Sequence, residues 1–403
     1  MADKFYDFAR EVKFLKEIVR IPSDNPPGDC ARHANESARL LEDLGFKVER
    51  HKVSEALVRK HGMRSVTNLV VRERFGSGKG PTIALNAHGD VVPPGQGWSV
   101  DPYAAVERNG AIYGRGAAVS KSDFATYAFA LRALKAEPQR LNGTVELHLT
   151  YDEEAGGDIG PKWLLDEKIT SPDLVICAGF SYSIVTAHNG CLHLEVAVHG
   201  KQAHAAMPET GHDALAASNA VLNALYAEGK RLRKSKSKTP GIGSPTLNVG
   251  LIEGGINTNV VPDLVTFRLD RRMIPEENGR KVERELIALI KKAGGGKGIK
   301  VDVKRILLAN PLKPVKGIEK LVEPLQRHAR EVLGVAIKAT GVPLYTDARH
   351  YAERKIPTVL YGAGPRSILE ANAHRADEHI GLHDLEAATR IVAAALRDIL
   401  GRP

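Results

Sequence analysis

The 403-residue sequence predicts an α/β fold interrupted by a smaller α+β unit. Up to about residue 180, helical patterns alternate with short, almost continuous apolar runs, which is typical of a sheet covered by helices on both faces. From residue 191, "CLHLEVAVHG" instead alternates apolar and polar residues, which indicates a strand with one exposed side. The chain is also too long for one ordinary core, so we expect at least two domains.

The elements of the first part follow from these periodicities. The N-terminal residues place Phe5, Phe8, Val12 and Leu15 on one face, which predicts an amphipathic helix and not a signal peptide. The predicted helices cover residues 2–20, 31–44 and 123–136. The predicted strands cover residues 66–73, 82–88, 144–151 and 173–178.

The central part has the order β-α-β-β-α-β of a ferredoxin-like unit. Its predicted elements are the strand in 191–200, helix 211–227, strands 245–252 and 263–271, helix 276–293 and strand 299–305. Helix 316–333, strand 357–361 and helix 384–399 then resume the α/β pattern. We therefore predict a discontinuous domain of residues 1–183 and 306–403, with an inserted domain of residues 184–305.

Composition excludes several classes of function. The net charge is +9, but the densest basic run, residues 229–241, lacks aromatic residues that could stack on bases, so we read it as an exposed loop and expect no nucleic-acid partner. The glycine cluster at 293–298 does not match a phosphate-binding loop and indicates a helix stop. No apolar run reaches the roughly 18 residues needed to span a membrane. The three cysteines suggest no disulfide framework, which favours a cytoplasmic location.

Polar residues that could carry chemistry follow the predicted strands, where open α/β sheets bind ligands. In "NAHGDVVP", His88 could bind a metal while Asp90 accepts its second ring proton, although a polar strand end is common. In "TYDEEAGG", Glu153 and Glu154 could serve as a metal ligand and a general base, although an acidic turn is the simpler explanation. His374 in "NAHRADEH" is a further candidate donor, and His379 is a weaker one.

A glycine-rich loop, "YGRGAAVSKSD", precedes the helix predicted at 123–136. Together with "VRIPSDNPPG", "HGKQAHAAMP", "LIEGGINTNVVPD", "LDRRMIP" and "TDARHYAERKIPTVLYGAG", these motifs resemble the metallohydrolase family of acetylornithine deacetylase, succinyl-diaminopimelate desuccinylase, aminoacylase and glutamate carboxypeptidase. The resemblance covers nearly the whole chain. It implies a zinc-exopeptidase-like catalytic domain with a mixed sheet, and a ferredoxin-like lid domain that commonly forms a homodimer.

The resemblance also assigns roles to individual residues. It implies that His88 binds one zinc ion, and that Glu154 and His374 bind a second. Asp90 would orient His88, and Glu153 would act as general base and acid. His204 would polarise the substrate carbonyl, while Asn259 and Arg271 match positions that contact a substrate carboxylate.

Two positions depart from the family pattern. Val119 replaces the aspartate that bridges the two metals, although Arg115 and Lys121 are in register, and Gly179 replaces a further carboxylate ligand. Our first hypothesis is a site with one divalent metal, zinc in preference to manganese or cobalt, held by His88, Glu154 and His374. In the second, Asp123 or Cys177 replaces a missing ligand. Each has a simpler explanation, a helix N-terminal acid for Asp123 and a small core residue for Cys177.

The predicted function is metal-dependent hydrolysis of an amide C–N bond in a small substrate, such as an N-acyl amino acid or a dipeptide. Arg271 and the basic charge balance suggest a substrate with a carboxylate. The altered metal ligands leave open a different C–N hydrolysis, such as deamination of an aryl amine or cleavage of a carbamoyl group. A third hypothesis is a non-catalytic protein that binds a ligand in the same cleft, which the retained glutamate pair and histidines argue against.

Overall fold

The computed structural model describes residues 6–136 and 141–401, and these form two compact units. The large unit contains the chain up to Thr186, Pro314–Thr340 and the chain from Thr346 onward. The small unit contains Ala187–Lys313 and Gly341–Tyr345.

The helices are α1 Phe8–Val19, α2 Ala31–Asp43, α3 Glu55–Lys60, α4 Lys121–Lys135, α5 Pro161–Asp166, α6 Ala214–Leu232, α7 Gly279–Gly294, α8 Glu319–Leu333, α9 Ala348–Ala352 and α10 Leu382–Leu400. The strands are β1 Val48–Lys52, β2 Thr67–Phe75, β3 Thr82–His88, β4 Val106–Arg108, β5 Ala111–Tyr113, β6 Gly143–Thr150, β7 Leu174–Cys177, β8 Ser183–His188, β9 Gly190–His199, β10 Thr246–Gly254, β11 Leu264–Met273, β12 Lys300–Ala309, β13 Lys338–Val342, β14 Thr358–Leu360 and β15 His379–Gly381. Short 3₁₀ helices span Glu153–Ala155 and Pro208–Thr210.

The large unit is built on a mixed sheet with the strand order β1-β2-β6-β3-β7-β14-β8-β13. Its central strands β6, β3, β7 and β14 are parallel, whereas β1, β2 and β8 pair antiparallel with their neighbours. Parallel strands bring their carboxyl ends to one edge of a sheet. The residues that follow β3, β6, β7 and β14 are therefore neighbours, which sets the position of the candidate site.

Helix α4 lies in the interior of the large unit. It packs on β3 and β6 and also contacts α1 and α10. Tyr127, Ala128 and Phe129, which follow one another by about 100° around the helix, are all buried. A helix that is apolar on all sides is stable only in such surroundings, so α4 anchors the loop that precedes it.

The small unit is a four-stranded antiparallel sheet, with α6 and α7 packed against it and each other. The strand order β10-β11-β9-β12 is that of the ferredoxin-like arrangement, which confirms the predicted fold class. In β9 the predicted alternation holds, because Leu192, Leu194, Val196 and Val198 are all fully buried in the core of this unit.

The structure adds details that the periodicities did not predict. Residues 2–5 of the predicted first helix lie outside the described part of the chain. The basic run is not simply a loop, because α6 continues through its first residues to Leu232. The glycine cluster does end α7, at Gly294. Across the described ranges, no helix combines the length and apolar character needed to cross a membrane, and no disulfide joins the three cysteines, all of which are described.

Candidate active site

The predicted donors of the large unit meet at the carboxyl edge of its sheet. His88 is the last residue of β3, and Glu153 and Glu154 form the short helix that follows β6. Donor atoms of His88, Glu153 and Glu154 all lie within 4.8 Å of one another. His374 contacts one member of this group, since its Nε2 atom lies 3.1 Å from Oε1 of Glu154, but it is not among the described donors that all lie within 4.8 Å of one another. The group of three, with His374 beside Glu154, offers imidazole and carboxylate ligands, which are ligand types that suit a divalent metal such as zinc.

Asp90 is fully buried beside this group and organises it. Its carboxylate accepts hydrogen bonds from the main-chain N–H groups of Glu153, at 3.2 Å, and Glu154, at 3.1 Å. The Asn25 side chain donates a third, at 3.0 Å. The nearest acceptor for Nδ1 of His88 is the main-chain carbonyl of Asp90, at 2.9 Å, while the carboxylate is 3.5 Å away. Asp90 therefore orients His88 mainly through its main chain, and its carboxylate holds the glutamate pair.

The electrostatics of the group favour a bound cation. The pKa of Glu153 is raised to about 8, mainly because of burial and also by the charge of Glu154, although His88 lowers it. Burial lowers the pKa of His88, but the carboxylates of Glu153 and Asp90 outweigh burial and bring it well above its usual value. The hydrogen bond to Glu154 raises the pKa of His374. Crowded carboxylates take up protons when no other positive charge is present, so a metal ion would compete with protons here.

Asp347 is a candidate site residue that our reading of the sequence missed. It lies just before α9, is 5% exposed, and has one carboxylate oxygen, Oδ2, that is buried without a hydrogen-bond partner in the described structure. Burial raises its pKa well above the usual range, and the nearby Glu153 raises it further. Its other oxygen lies against Gly157, where a Cβ atom would be only 1.9 Å away. The motif "TDARHY" contains Asp347, but this residue does not follow a predicted strand, and candidate residues were sought at the ends of strands.

The loop before α4 is held by protein contacts. Oε1 of Glu378 accepts hydrogen bonds from the N–H groups of Ala118 and Val119, both at 3.1 Å, and its other oxygen pairs with buried Arg115. The Val119 side chain is partly buried against the alanines 118, 371 and 373. Lys121 is also buried and donates to the Ile21 carbonyl at 2.9 Å. The position expected for a bridging aspartate is thus apolar. The role of Glu378 in holding this loop was not predicted from the sequence.

The second replaced position, Gly179, leaves no room for a side chain. A Cβ atom there would lie 2.7 Å from main-chain atoms of Leu360 and Tyr361. Asp123 does not supply the missing donor in this arrangement, since its buried carboxylate accepts from the Ala363 N–H at 2.8 Å. Cys177 is buried at the end of β7. Among the described residues, the group of converging donors around His88 includes neither of them.

The predicted substrate-binding residues belong to the small unit. His204 and Asn259 are exposed and adjacent, because the Ala205 N–H donates to the Asn259 carbonyl at 3.0 Å. Arg271 is buried in β11 and pairs with Glu277, so its charge is already balanced within this unit. The weaker candidate His379 is a residue of β15, and its ring stacks on Tyr113 with 4.8 Å between centroids.

Known proteins match this chain both in sequence and in fold. A sequence profile of peptidase family M20/M25/M40 matches residues 84–398. The succinyl-diaminopimelate desuccinylase of Wolinella succinogenes is 29% identical over 400 residues, covering 96% of this chain and 98% of that protein. Aminopeptidase PepT from Bacillus cereus has the same fold, with a TM-score of 0.73 and 24% identity over 98% of this chain and 99% of that one. An M20 family metallo-carboxypeptidase from Sulfolobus solfataricus gives a TM-score of 0.77 at 20% identity, covering 96% and 98%.

Proposed function

Because this chain belongs to peptidase family M20/M25/M40, we propose that it is a metal-dependent hydrolase that cleaves an amide C–N bond in a small substrate. An N-acyl amino acid or a dipeptide fits best, since the relatives include a desuccinylase and peptidases. The observation that carries this proposal is the convergence of His88, Glu153 and Glu154 within 4.8 Å at the carboxyl edge of the sheet.

His88, Glu154 and His374 would hold the metal, for which we favour zinc over manganese or cobalt. A divalent cation there supplies Lewis-acid chemistry, which lowers the pKa of water and polarises a carbonyl group. We infer one ion per chain, because Val119 offers an apolar side chain and Gly179 has no room for a carboxylate.

Glu153 would be the general base and acid. Its Oε2 atom lies 3.9 Å from Nε2 of His88, so a small molecule between them could reach both. Burial raises the pKa of Glu153 above that of an exposed carboxyl group, and a carboxyl group with a raised pKa is better suited to take a proton from water and return it to the leaving amine. Asp90 would keep Glu153 in place through the hydrogen bond to its N–H.

The small unit would supply the remaining contacts to the substrate. We infer that His204 polarises the substrate carbonyl, and that Asn259 and Arg271 bind a substrate carboxylate. Arg271 would first have to exchange its ion pair with Glu277 for the substrate. We also infer a homodimer formed through this unit, a catalytic role for the large unit, and a cytoplasmic location.

One observation favours a second candidate reaction. Val119 lies among alanines where the family pattern has a metal-bridging carboxylate, so the site is less polar than that pattern implies. Such a site could hydrolyse another C–N bond, such as that of an aryl amine or a carbamoyl group, with a single metal ion.

The test is turnover by the protein loaded with zinc, manganese or cobalt. The panel contains N-acyl amino acids, dipeptides, aryl amines and carbamoyl compounds. Glu153→Gln should lower kcat at least about 100-fold while retaining the metal. Glu167→Gln changes an exposed glutamate just beyond α5 and is the matched control. Its kcat should equal that of the wild type. Metal-dependent turnover that survives Glu153→Gln would refute the role of Glu153. If no substrate of the panel is turned over with any metal, the hypothesis of a non-catalytic ligand-binding protein is favoured.

A further inference from the structure

The sheet of the small unit carries a second group of metal-ligand side chains. In β9, Leu192 and Leu194 face the helix-covered core, so Cys191 and His193 point to the other face of the sheet. Asp270 of β11 lies directly opposite His193 in the antiparallel register, so it shares that face. None of these residues belongs to the candidate active site.

Their donor atoms converge on one point. Sγ of Cys191 lies 3.1 Å from Nε2 of His193, and the same nitrogen lies 2.8 Å from Oδ2 of Asp270. The third side of the triangle, from Sγ to Oδ2, measures 3.7 Å. A nucleophile, base and acid triad uses both ring nitrogens of its histidine, one for each partner. Here the sulfur and the carboxylate share a single nitrogen, which is the arrangement of three ligands around an ion.

The size of the triangle fits zinc. Bonds of about 2.0–2.3 Å at tetrahedral angles separate ligand atoms by about 3.3–3.6 Å. The three observed distances, 2.8, 3.1 and 3.7 Å, differ from these values by up to about half an ångström, so small side-chain movements would admit the ion. Thiolate, imidazole and carboxylate are also the three ligand types that zinc prefers.

The surroundings suit a ligand set with an open position. Nε of Arg272 lies 2.9 Å from Oδ1 of Asp270 and 3.1 Å from Oδ2. Ligation through Oδ2 would leave Oδ1 bonded to Arg272, as outer partners commonly orient a ligating carboxylate. The side chains of His193 and Asp270 are 33% and 29% exposed, so an ion can enter and a water molecule can complete the coordination.

We propose that Cys191, His193 and Asp270 form a second metal site, for zinc or a similar thiol-binding divalent cation. The ion would join β9 to β11. Because Arg272 also lies over the Tyr345 ring, 5.6 Å from its centroid, the site would support the segment Gly341–Tyr345 of the same unit. This site is separate from the catalytic centre proposed above.

Cobalt titration of the metal-free, full-length protein tests this proposal. A cysteine-ligated cobalt ion shows a thiolate-to-cobalt charge-transfer band, whereas a site of histidines and carboxylates does not. We expect the band in the wild type and in His88→Ala, which removes a donor of the catalytic site. It should be absent in Cys191→Ser, and it should remain in the matched controls Cys30→Ser and Cys177→Ser.

His193→Gln and Asp270→Asn keep the thiol and guard against a Cys191→Ser variant that fails to fold. In each, we expect the cobalt affinity read from the band to fall at least about tenfold. Circular dichroism would check that every variant is folded. The proposal is overturned if the wild type gives no such band, if the band persists in folded Cys191→Ser, or if it is lost in Cys177→Ser. It is also overturned if both folded ligand variants bind cobalt as the wild type does.

Discussion

The main-chain N–H of Val119 donates a hydrogen bond to Oε1 of Glu378, 3.1 Å away. Glu378 thereby fixes the loop in which the family pattern places a metal-bridging aspartate. The loop keeps its shape through Arg115 and Glu378, so its conformation does not depend on a bridging carboxylate. If the shape of the loop does not depend on metal ligation, a carboxylate can be restored at position 119 and its effect on metal binding measured.

Val119→Asp should raise the zinc content above that of the wild type, because it returns a carboxylate to the loop, next to Ala373, the residue that precedes His374. Val119→Asn has nearly the same shape without the charge and should leave the zinc content unchanged. Both place a polar group among alanines, so each should destabilise the fold by about 1–3 kcal/mol. Zinc per chain is measured by elemental analysis after dialysis, and equal zinc in the two variants would contradict the prediction.

Glu378→Gln should destabilise the protein strongly. It removes the carboxylate that pairs with Arg115, whose side chain is 1% exposed, and leaves a buried charge uncompensated. Breaking such a pair costs about 3–5 kcal/mol. Chemical denaturation measures the effect. Arg115→Met combined with Glu378→Gln should recover part of the loss, and a double variant no more stable than Glu378→Gln would argue against the ion pair as the cause.

Gly179→Ala should also be destabilising. Its new methyl group would lie 2.7 Å from main-chain atoms of Leu360 and Tyr361, and β14 must shift to admit it. We expect a loss of about 1–3 kcal/mol in the free energy of unfolding. Gly243→Ala is the control, because a Cβ atom there meets nothing within 4 Å. Similar stabilities for the two variants would show that Gly179 is not required for packing.

Glu11 should make the stability of the protein depend on pH. Burial raises its pKa to about 8 from 4.5, so the folded state holds a proton that the unfolded state releases between these values. Stability should therefore fall as pH rises from 4.5 to 8. Glu11→Gln cannot ionise, so it should match the wild type near pH 5 and exceed it by about 1–3 kcal/mol near pH 9.

Thermal unfolding at several pH values checks this prediction. The matched control is Glu17→Gln in the same helix. The Glu17 side chain is 30% exposed, and its Oε1 atom lies 3.8 Å from Nζ of Lys13. The stability of Glu17→Gln should change with pH in the same way as that of the wild type. A pH profile of Glu11→Gln parallel to that of the wild type would mean that another group is responsible.

The sequence predicted those parts of the site that depend on strand ends. His88 and the pair Glu153 and Glu154 follow apolar runs, and parallel strands necessarily bring such ends together. Asp347 and Glu378 could not be found in this way, because each contacts residues far away in the chain and follows no recognisable strand. The short strands β4, β5 and β15 were missed for the same reason, since three residues are too few to show a periodicity.

The strand order of the large sheet has a consequence for how this protein is made. β14 lies between β7 and β8, although more than a hundred residues of the chain separate it from either. A ribosome therefore releases both neighbours well before the strand that joins them, and His374 emerges later still. Until then the nascent chain exposes unpaired strand edges, whereas the small unit is contiguous apart from Gly341–Tyr345. We expect the small unit to fold first during synthesis, and chaperones to be needed chiefly for the large one.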